Sequence, residues 1–266
     1  MTRSFTHGDV ELAYTVYGNP SDRPLVLVHG LGADHAMWRP QCTRYPDEGY
    51  FLIVPDVRGH GESDCGEGFA IDDAAADLAA LLGEVGVERA TVCGVSLVGV
   101  LSQRLAIDHP DLVDALVLSD TFSGVHGAVA RLNARGSEVG LSLLPGVFQW
   151  KIIESHFNAP EHEQLREYFR TMLFQTDPSV LKQARRAINR LDCRDELDLI
   201  DVPTLVLVGQ ENGKWFVELA RETAAGIDGA TFEVLAEGSD PSNLTVTPAF
   251  DDAVLTFLKN TETASG

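Results

Sequence analysis

Histidine runs out early in this chain. Eight occur in 266 residues and none follows His162, so the C-terminal stretch has no imidazole to move a proton or hold a metal. Lysine is scarce too, with 4 among 20 basic residues against 40 acids, for a formal net charge of −20. That balance excludes nucleic acid and anionic membrane as expected partners. The four cysteines, Cys42, Cys65, Cys93 and Cys193, form no C-x-x-C pair and no His/Cys cluster. No structural metal or disulfide framework is expected, and a reduced, cytoplasmic setting is. No apolar run approaches the roughly 18 residues of a membrane span. The opening stretch, MTRSFTHGDVELAY, lacks the apolar segment of a signal peptide. A Gly-rich dinucleotide fingerprint is missing as well, so no cofactor is expected.

What is present begins with buried strands. Leu25-Val26-Leu27-Val28, Phe51-Leu52-Ile53-Val54 and Leu205 to Val208 are continuous apolar runs, and Val113 to Leu118 reads as another buried strand. Such runs suit strands covered on both faces of a parallel sheet. Val10 to Tyr17 alternates like a strand, and Thr231 to Leu235 reads as the last one. Helical patterns lie between them at Ile71 to Val85, Val98 to Ile107, Val217 to Ala225 and Pro248 to Asn260. Strand–helix alternation predicts an α/β fold with a doubly wound, mostly parallel sheet. From 122 to 200 the strand signal vanishes. Helical patterns at 128–139, 148–157, 161–171 and 178–191 replace it. We therefore expect a core domain from 1–121 and 201–266, with a helical cap, 122–200, inserted after the sixth strand.

The chemistry centres on Ala90 to Gly99, reading ATVCGVSLVG. Strand, tight turn with Ser96 at its apex, then helix is the context in which G-x-S-x-G exposes a serine hydroxyl as a nucleophile. The next backbone N–H, of Leu97, faces a developing oxyanion. The second glycine of the motif is replaced by Val98, with Gly99 one residue on. A β-branched residue there is expected to crowd the close approach of strand and helix.

With this elbow, His29-Gly30 and Asp56-Val57-Arg58-Gly59-His60-Gly61-Glu62-Ser63 in chain order, the chain resembles the α/β-hydrolases. The likeness is to the small branch holding 3-oxoadipate enol-lactonases, esterases and epoxide hydrolases, and it runs from about Phe5 to Leu258. The resemblance implies a helical cap over the site and Leu31 N–H as the second oxyanion donor beside Leu97. His29 and Gly30 are expected to line the site, with His29 shaping the turn by packing and hydrogen bonding, and the lack of metal-ligand spacing leaves no metal expected. Asp56 and Arg58 are expected to organise their loop. The resemblance also asks for an aspartate after the strand ending at Val208 and a histidine after the last strand. Asn212 stands at the first position and Asp240 at the second.

A serine without a base is a poor nucleophile, and an aspartate near its reference pKa of roughly 4 is a weak base. The resemblance therefore implies a carboxylic ester or lactone hydrolase by descent, of weak activity, taking a small apolar ligand. A non-catalytic ligand-binding protein of the same fold is the alternative. A cofactor-free lyase or isomerase using Asp240 as base is another. Asp120, at the end of its strand, is a substitute acid position, and Glu211 a further one. His126 or His156 from the cap are substitute bases. Trp38 and Phe122 are expected to line the site, with Phe148 and Trp150 as further pocket or cap aromatics.

The acidic surface admits two readings, plain solubility or adaptation to high salt. The second predicts a thermal midpoint that falls as salt is lowered below about 0.5 M, where carboxylate repulsion is less screened. A midpoint indifferent to salt leaves only the first.

Overall fold

A computed structural model describes residues 1–96, 99–126, 132, 135–136, 138–140, 146–154, 157 and 162–265. Eight strands form one sheet: β1 (Arg3–His7), β2 (Val10–Tyr17), β3 (Arg23–Val28), β4 (Tyr50–Pro55), β5 (Ala90–Val95), β6 (Val113–Ser119), β7 (Thr204–Gly209) and β8 (Thr231–Leu235). Their order is β1-β2-β4-β3-β5-β6-β7-β8. β2 pairs antiparallel with both β1 and β4, and every other pairing is parallel. The expected doubly wound, mostly parallel sheet is present. β1 was not foreseen, because RSFTH is a polar, largely exposed edge strand with no apolar period to reveal it.

The apolar runs are continuous because the sheet has two buried faces. Val26, Val28, Ile53, Val92, Leu116 and Val206 turn to one face. Their alternating neighbours Leu25, Leu27, Leu52, Cys93, Val117 and Leu205 turn to the other. The first face is covered by helices Ile71–Val85, Gly99–Asp108 and Lys214–Gly226. The second is covered by Met37, Trp38 and the C-terminal helix Thr247–Ser265, through Phe250, Val254 and Leu258. Ile71–Val85 begins with Asp72 and Asp73 in its first turn, which suits the positive helix terminus. It ends at Gly86 in the left-handed conformation, whose N–H reaches the Gly83 and Leu82 carbonyls.

Between β6 and β7 the described elements are helices: Gly146–Glu154, Glu163–Gln175, Pro178–Arg190 and the short turn Arg194–Leu199. The expected helix at 128–139 falls largely outside the described residues, as does His156. Pro178–Arg190 starts where Asp177 accepts a hydrogen bond from Ser179 N, with Pro178 in the first turn. It buries Val180, Leu181, Ala184 and Ile188 as one stripe.

Parallel strands place their C-terminal ends on one edge, where loops can converge. Two glycines let the last loops close in. A Cβ on Gly209 would stand 2.3 Å from Gly238 O and 2.7 Å from Ser239 N. A Gly209→Ala change is expected to cost about 1–3 kcal/mol through forced backbone shifts. Gly83 has nothing within 4 Å of a built Cβ and lies inside a helix. Gly83→Ala is expected to gain about 0.5–1 kcal/mol. Urea unfolding of the two variants checks both signs.

Candidate active site

β5 and β6 pair with Val95 opposite Ser119, so the next residue of each strand, Ser96 and Asp120, steps off the sheet edge side by side. Both have positive φ, 63° at Ser96 and 50° at Asp120. Such conformations are costly for residues with a Cβ and persist where the surroundings over-determine them. The turn is held by close packing. A Cβ on Gly94 would meet Ser102 Oγ at 2.2 Å, and one on Gly99 would meet Thr121 Cβ at 2.9 Å. Gly94 and Gly99 thus carry the tight approach of strand and helix. Val98 and Leu97, with the expected oxyanion N–H of Leu97, lie outside the described residues.

β3 delivers the other side of the turn. A Cβ on Gly30 would stand 3.0 Å from Ser96 Cβ, so the His29–Gly32 turn rests directly on the serine and Leu31 follows it. His29 is fully buried. Its Nε2 accepts from Val57 N at 3.0 Å, which leaves Nδ1 to donate to Gly30 O at 2.8 Å. Burial lowers its pKa despite nearby Asp56, so the ring is a neutral brace between two loops. Asp56 takes Glu62 N at 2.9 Å and His35 N at 2.7 Å. Arg58 grips Asp77 with Nε at 2.6 Å and Nη2 at 2.8 Å. Both residues tie down their loop.

The serine has a partner. Ser96 Oγ donates to Asp240 Oδ2 at 2.7 Å. Asp240 comes from the loop after β8, and its own N–H donates to Asn212 Oδ1 at 2.7 Å. Asn212 Nδ2 in turn donates to Asp120 Oδ1 at 2.7 Å. The amide needs both ends, since an aspartate at 212 could accept from Asp240 N but would set a second carboxylate against Asp120. Asp120 is fully buried and also receives Gly209 N at 2.8 Å and Ser242 N at 2.7 Å. Ser242 Oγ lies 3.0 Å from its Oδ1. One carboxyl thus ties the ends of β6 and β7 to the loop after β8.

Burial raises the Asp120 carboxyl above the ordinary range, while these donors pull it back. Asp240 is pushed up to about 7 by burial first and then by Asp120, against the opposing pull of Ser96 and Arg185. The ordinary carboxylate range expected from sequence does not apply. Asp240 therefore keeps its proton to higher pH than an ordinary aspartate does.

The other sequence candidates lie elsewhere. Glu211 is exposed. His126 sits beside Glu222, with Nε2 2.5 Å from Oε2, and so meets the helix after β7. Trp38 is fully buried and packs 6.2 Å from the Phe250 ring. Phe122 is buried against Phe216, ring centroids 6.1 Å apart. These two are core residues, drawn in by the apolar area that an aromatic ring buries. Phe148 is exposed and Trp150 half-buried.

Sequence reasoning passed over three residues on the helical segment that reach the edge carrying Ser96. Tyr168 Oη donates to Asp34 Oδ1 at 2.8 Å, and Asp34 N donates back to Tyr168 Oη at 3.1 Å. Leu181 Cδ2 lies 3.4 Å from where a Cβ would stand on Gly32. Arg185 bears electrostatically on Asp240. Their only sequence signal is membership of an amphipathic helix, which names a face but not what it faces. Among the described residues no group of three His, Cys, Asp or Glu side chains could hold a metal ion. No described helix is long and apolar enough to cross a membrane.

Comparison with known proteins agrees with this fold. The sequence model of the family described as alpha/beta hydrolase fold matches residues 23–149. The chain is 30% identical over 261 residues to 3-oxoadipate enol-lactonase 2 of Acinetobacter baylyi, covering 96% of each. The enol-lactonase from Burkholderia xenovorans LB400 superposes with a TM-score of 0.84 at 25% identity, over 97% of this chain and 100% of that one. A thermophilic esterase from Thermogutta terrifontis superposes with a TM-score of 0.84 at 27% identity, over 98% and 99%. With its strand order, its serine turn and a relative this similar over nearly the whole length, the chain belongs to the α/β-hydrolase fold family.

Proposed function

We propose that the protein hydrolyses a carboxylic ester or lactone through an acyl-enzyme on Ser96, with Asp240 as the general base. The observation that carries this reading is the 2.7 Å hydrogen bond from Ser96 Oγ to Asp240 Oδ2, made to a carboxyl that burial has moved to about 7. A base works best when its pKa lies near the working pH, and that match is what histidine ordinarily brings. Here burial brings it to a carboxylate. The similarity to proteins named as 3-oxoadipate enol-lactonases favours a lactone among the esters.

As Ser96 Oγ attacks the carbonyl carbon, its proton passes to Asp240 Oδ2. The tetrahedral oxygen takes the N–H groups of Leu31 and Leu97, which stabilise charge that exists only after attack. Collapse returns the proton from Asp240 to the leaving alkoxide. Water then repeats the sequence on the acyl-enzyme, with Asp240 taking its proton. Asn212 holds the Asp240 backbone and Asp120 holds Asn212, so neither touches substrate. The helical segment 122–200 serves as the cap, clasped to the core through Tyr168 and Asp34.

A fluorophosphonate probe is expected to label Ser96. Ser96→Ala should lower ester turnover by about 10³-fold or more, and Asp240→Asn by about 10²–10⁴-fold. The rate should rise with pH as one ionisation near 7 and then level. An unlabelled Ser96 and an ester turnover equal to that of Ser96→Ala would sink the proposal. A Ser96→Ala variant that keeps its activity while Asp240→Asn loses it would assign proton abstraction without an acyl-enzyme.

Asp240 also makes stability depend on pH. Its folded pKa, about 7, exceeds the roughly 4 of an unfolded aspartate. Between those values the folded chain keeps a proton that the unfolded chain has released, so stability falls as pH rises through the window. Asp240→Asn removes that dependence. Its thermal midpoint is expected to exceed the parent's above pH 7, with the gap closing toward pH 4.

A further inference from the structure

The loop that carries Leu31 is held at two adjacent residues by two different parts of the molecule. Gly30 to Ala33 is a four-residue turn, closed by Ala33 N donating to Gly30 O at 3.2 Å. Leu31 and Gly32 form its centre, with Gly32 at a φ of 72°. Beyond the turn, His35 N donates to Asp56 Oδ1 at 2.7 Å, and His35 Nδ1 stands 2.9 Å from the same oxygen. That anchor follows β4 and belongs to the core. Asp34, between the turn and His35, is held from the other side. Its N–H donates to Tyr168 Oη at 3.1 Å, and Tyr168 Oη donates to its Oδ1 at 2.8 Å. Tyr168 lies on helix Glu163–Gln175. A hydroxyl that accepts from the backbone of one residue and donates to its side chain leaves that residue little freedom. Burial first, and then Asp34, raises the phenol above its ordinary range, so it keeps the proton it donates. The ring is fixed in turn by Phe169, edge-on at 5.0 Å, which stacks on Phe157 at 5.1 Å.

We propose that Tyr168 is a positioning residue for the reaction at Ser96, holding the Gly30–Ala33 turn through Asp34 so that Leu31 N–H meets the oxyanion. The proposal deepens the acyl-enzyme reading and rests on it for its kinetic arm alone. Without the hydroxyl, the Asp34 N–H loses its acceptor and the turn is anchored from the core side only. A donor displaced by about 1 Å can cost about 100-fold in rate. The oxyanion exists only after attack, so the loss falls on kcat and spares KM. A tyrosine that touched substrate would act on KM instead, and one that served only the fold would act on neither.

The kinetic arm follows p-nitrophenyl butyrate hydrolysis by the parent and Tyr168→Phe. The variant is expected to lose about 10- to 100-fold in kcat, with KM little changed. A raised KM at parental kcat overturns the proposal, and so does a lowered thermal midpoint with both constants kept. The second arm needs no activity and no variant. Amide hydrogen exchange of the parent, resolved by residue across a denaturant series, reports which unit must open before each N–H is released. Asp34 N–H is expected to open together with helix Glu163–Gln175, and His35 N–H with the core. An Asp34 N–H that opens with His35, or before the helix does, overturns the proposal. If the parent turns over no ester, the acyl-enzyme reading fails and the exchange pattern still judges the hold of Tyr168 on the turn. Should Tyr168→Phe fail to fold, the same pattern decides the matter.

Discussion

The buried carboxyl of Asp120 holds together what the rest of the site needs. It leaves the end of β6 with a positive φ and collects Gly209 N, Asn212 Nδ2 and Ser242 N at 2.7–2.8 Å. A carboxylate buried without partners would be costly. The loops after β7 and β8 supply those partners and are thereby fixed in place. Asn212 passes the constraint on to Asp240, and Asp240 meets the serine. Charge repulsion from the same Asp120 is one of the two causes that raise Asp240. The group that positions Asp240 also raises its pKa.

Close backbone approach is the second constraint. Gly30 rests on Ser96, Gly94 on Ser102, Gly99 on Thr121, and Gly209 on Gly238. At each contact a side chain would force the turns apart, and Ser96 would lose the loop surface that an oxyanion has to meet. The glycine of the elbow motif that seemed to be missing has a counterpart one residue later, at Gly99, whose Cα stands 3.0 Å from a Cβ built on Gly94.

The chemistry follows from dielectric surroundings more than from residue type. An exposed aspartate would hold no proton at neutral pH, and its drive to take one from serine would be small. Buried beside a second carboxyl, Asp240 has its pKa raised well above that of an exposed aspartate. The charge of Arg185 pulls the other way, toward the ionised form. On this reading the absence of histidine beyond His162 is compatible with base chemistry at the serine.

The sequence by itself determined the sheet and where its edge lies. Runs such as Leu25–Val28 and Leu205–Val208 can be satisfied only by strands buried on both faces, and the turns that follow them must emerge at one edge. The turns carrying His29-Gly30 and Ser96 were legible for that reason, while Asn212 and Asp240 were singled out by the family resemblance. β1 was not, since an exposed polar edge strand leaves no period. Trp38 and Phe122 lie buried in the clusters on the two faces of the sheet, which sequence could not distinguish from a pocket wall because an aromatic looks the same in either place. Only the tertiary structure decided that Asn212 serves Asp120 and that burial beside Asp120 raises Asp240. Those outcomes depend on burial and on distances between residues far apart in the chain, which no local pattern of residues encodes.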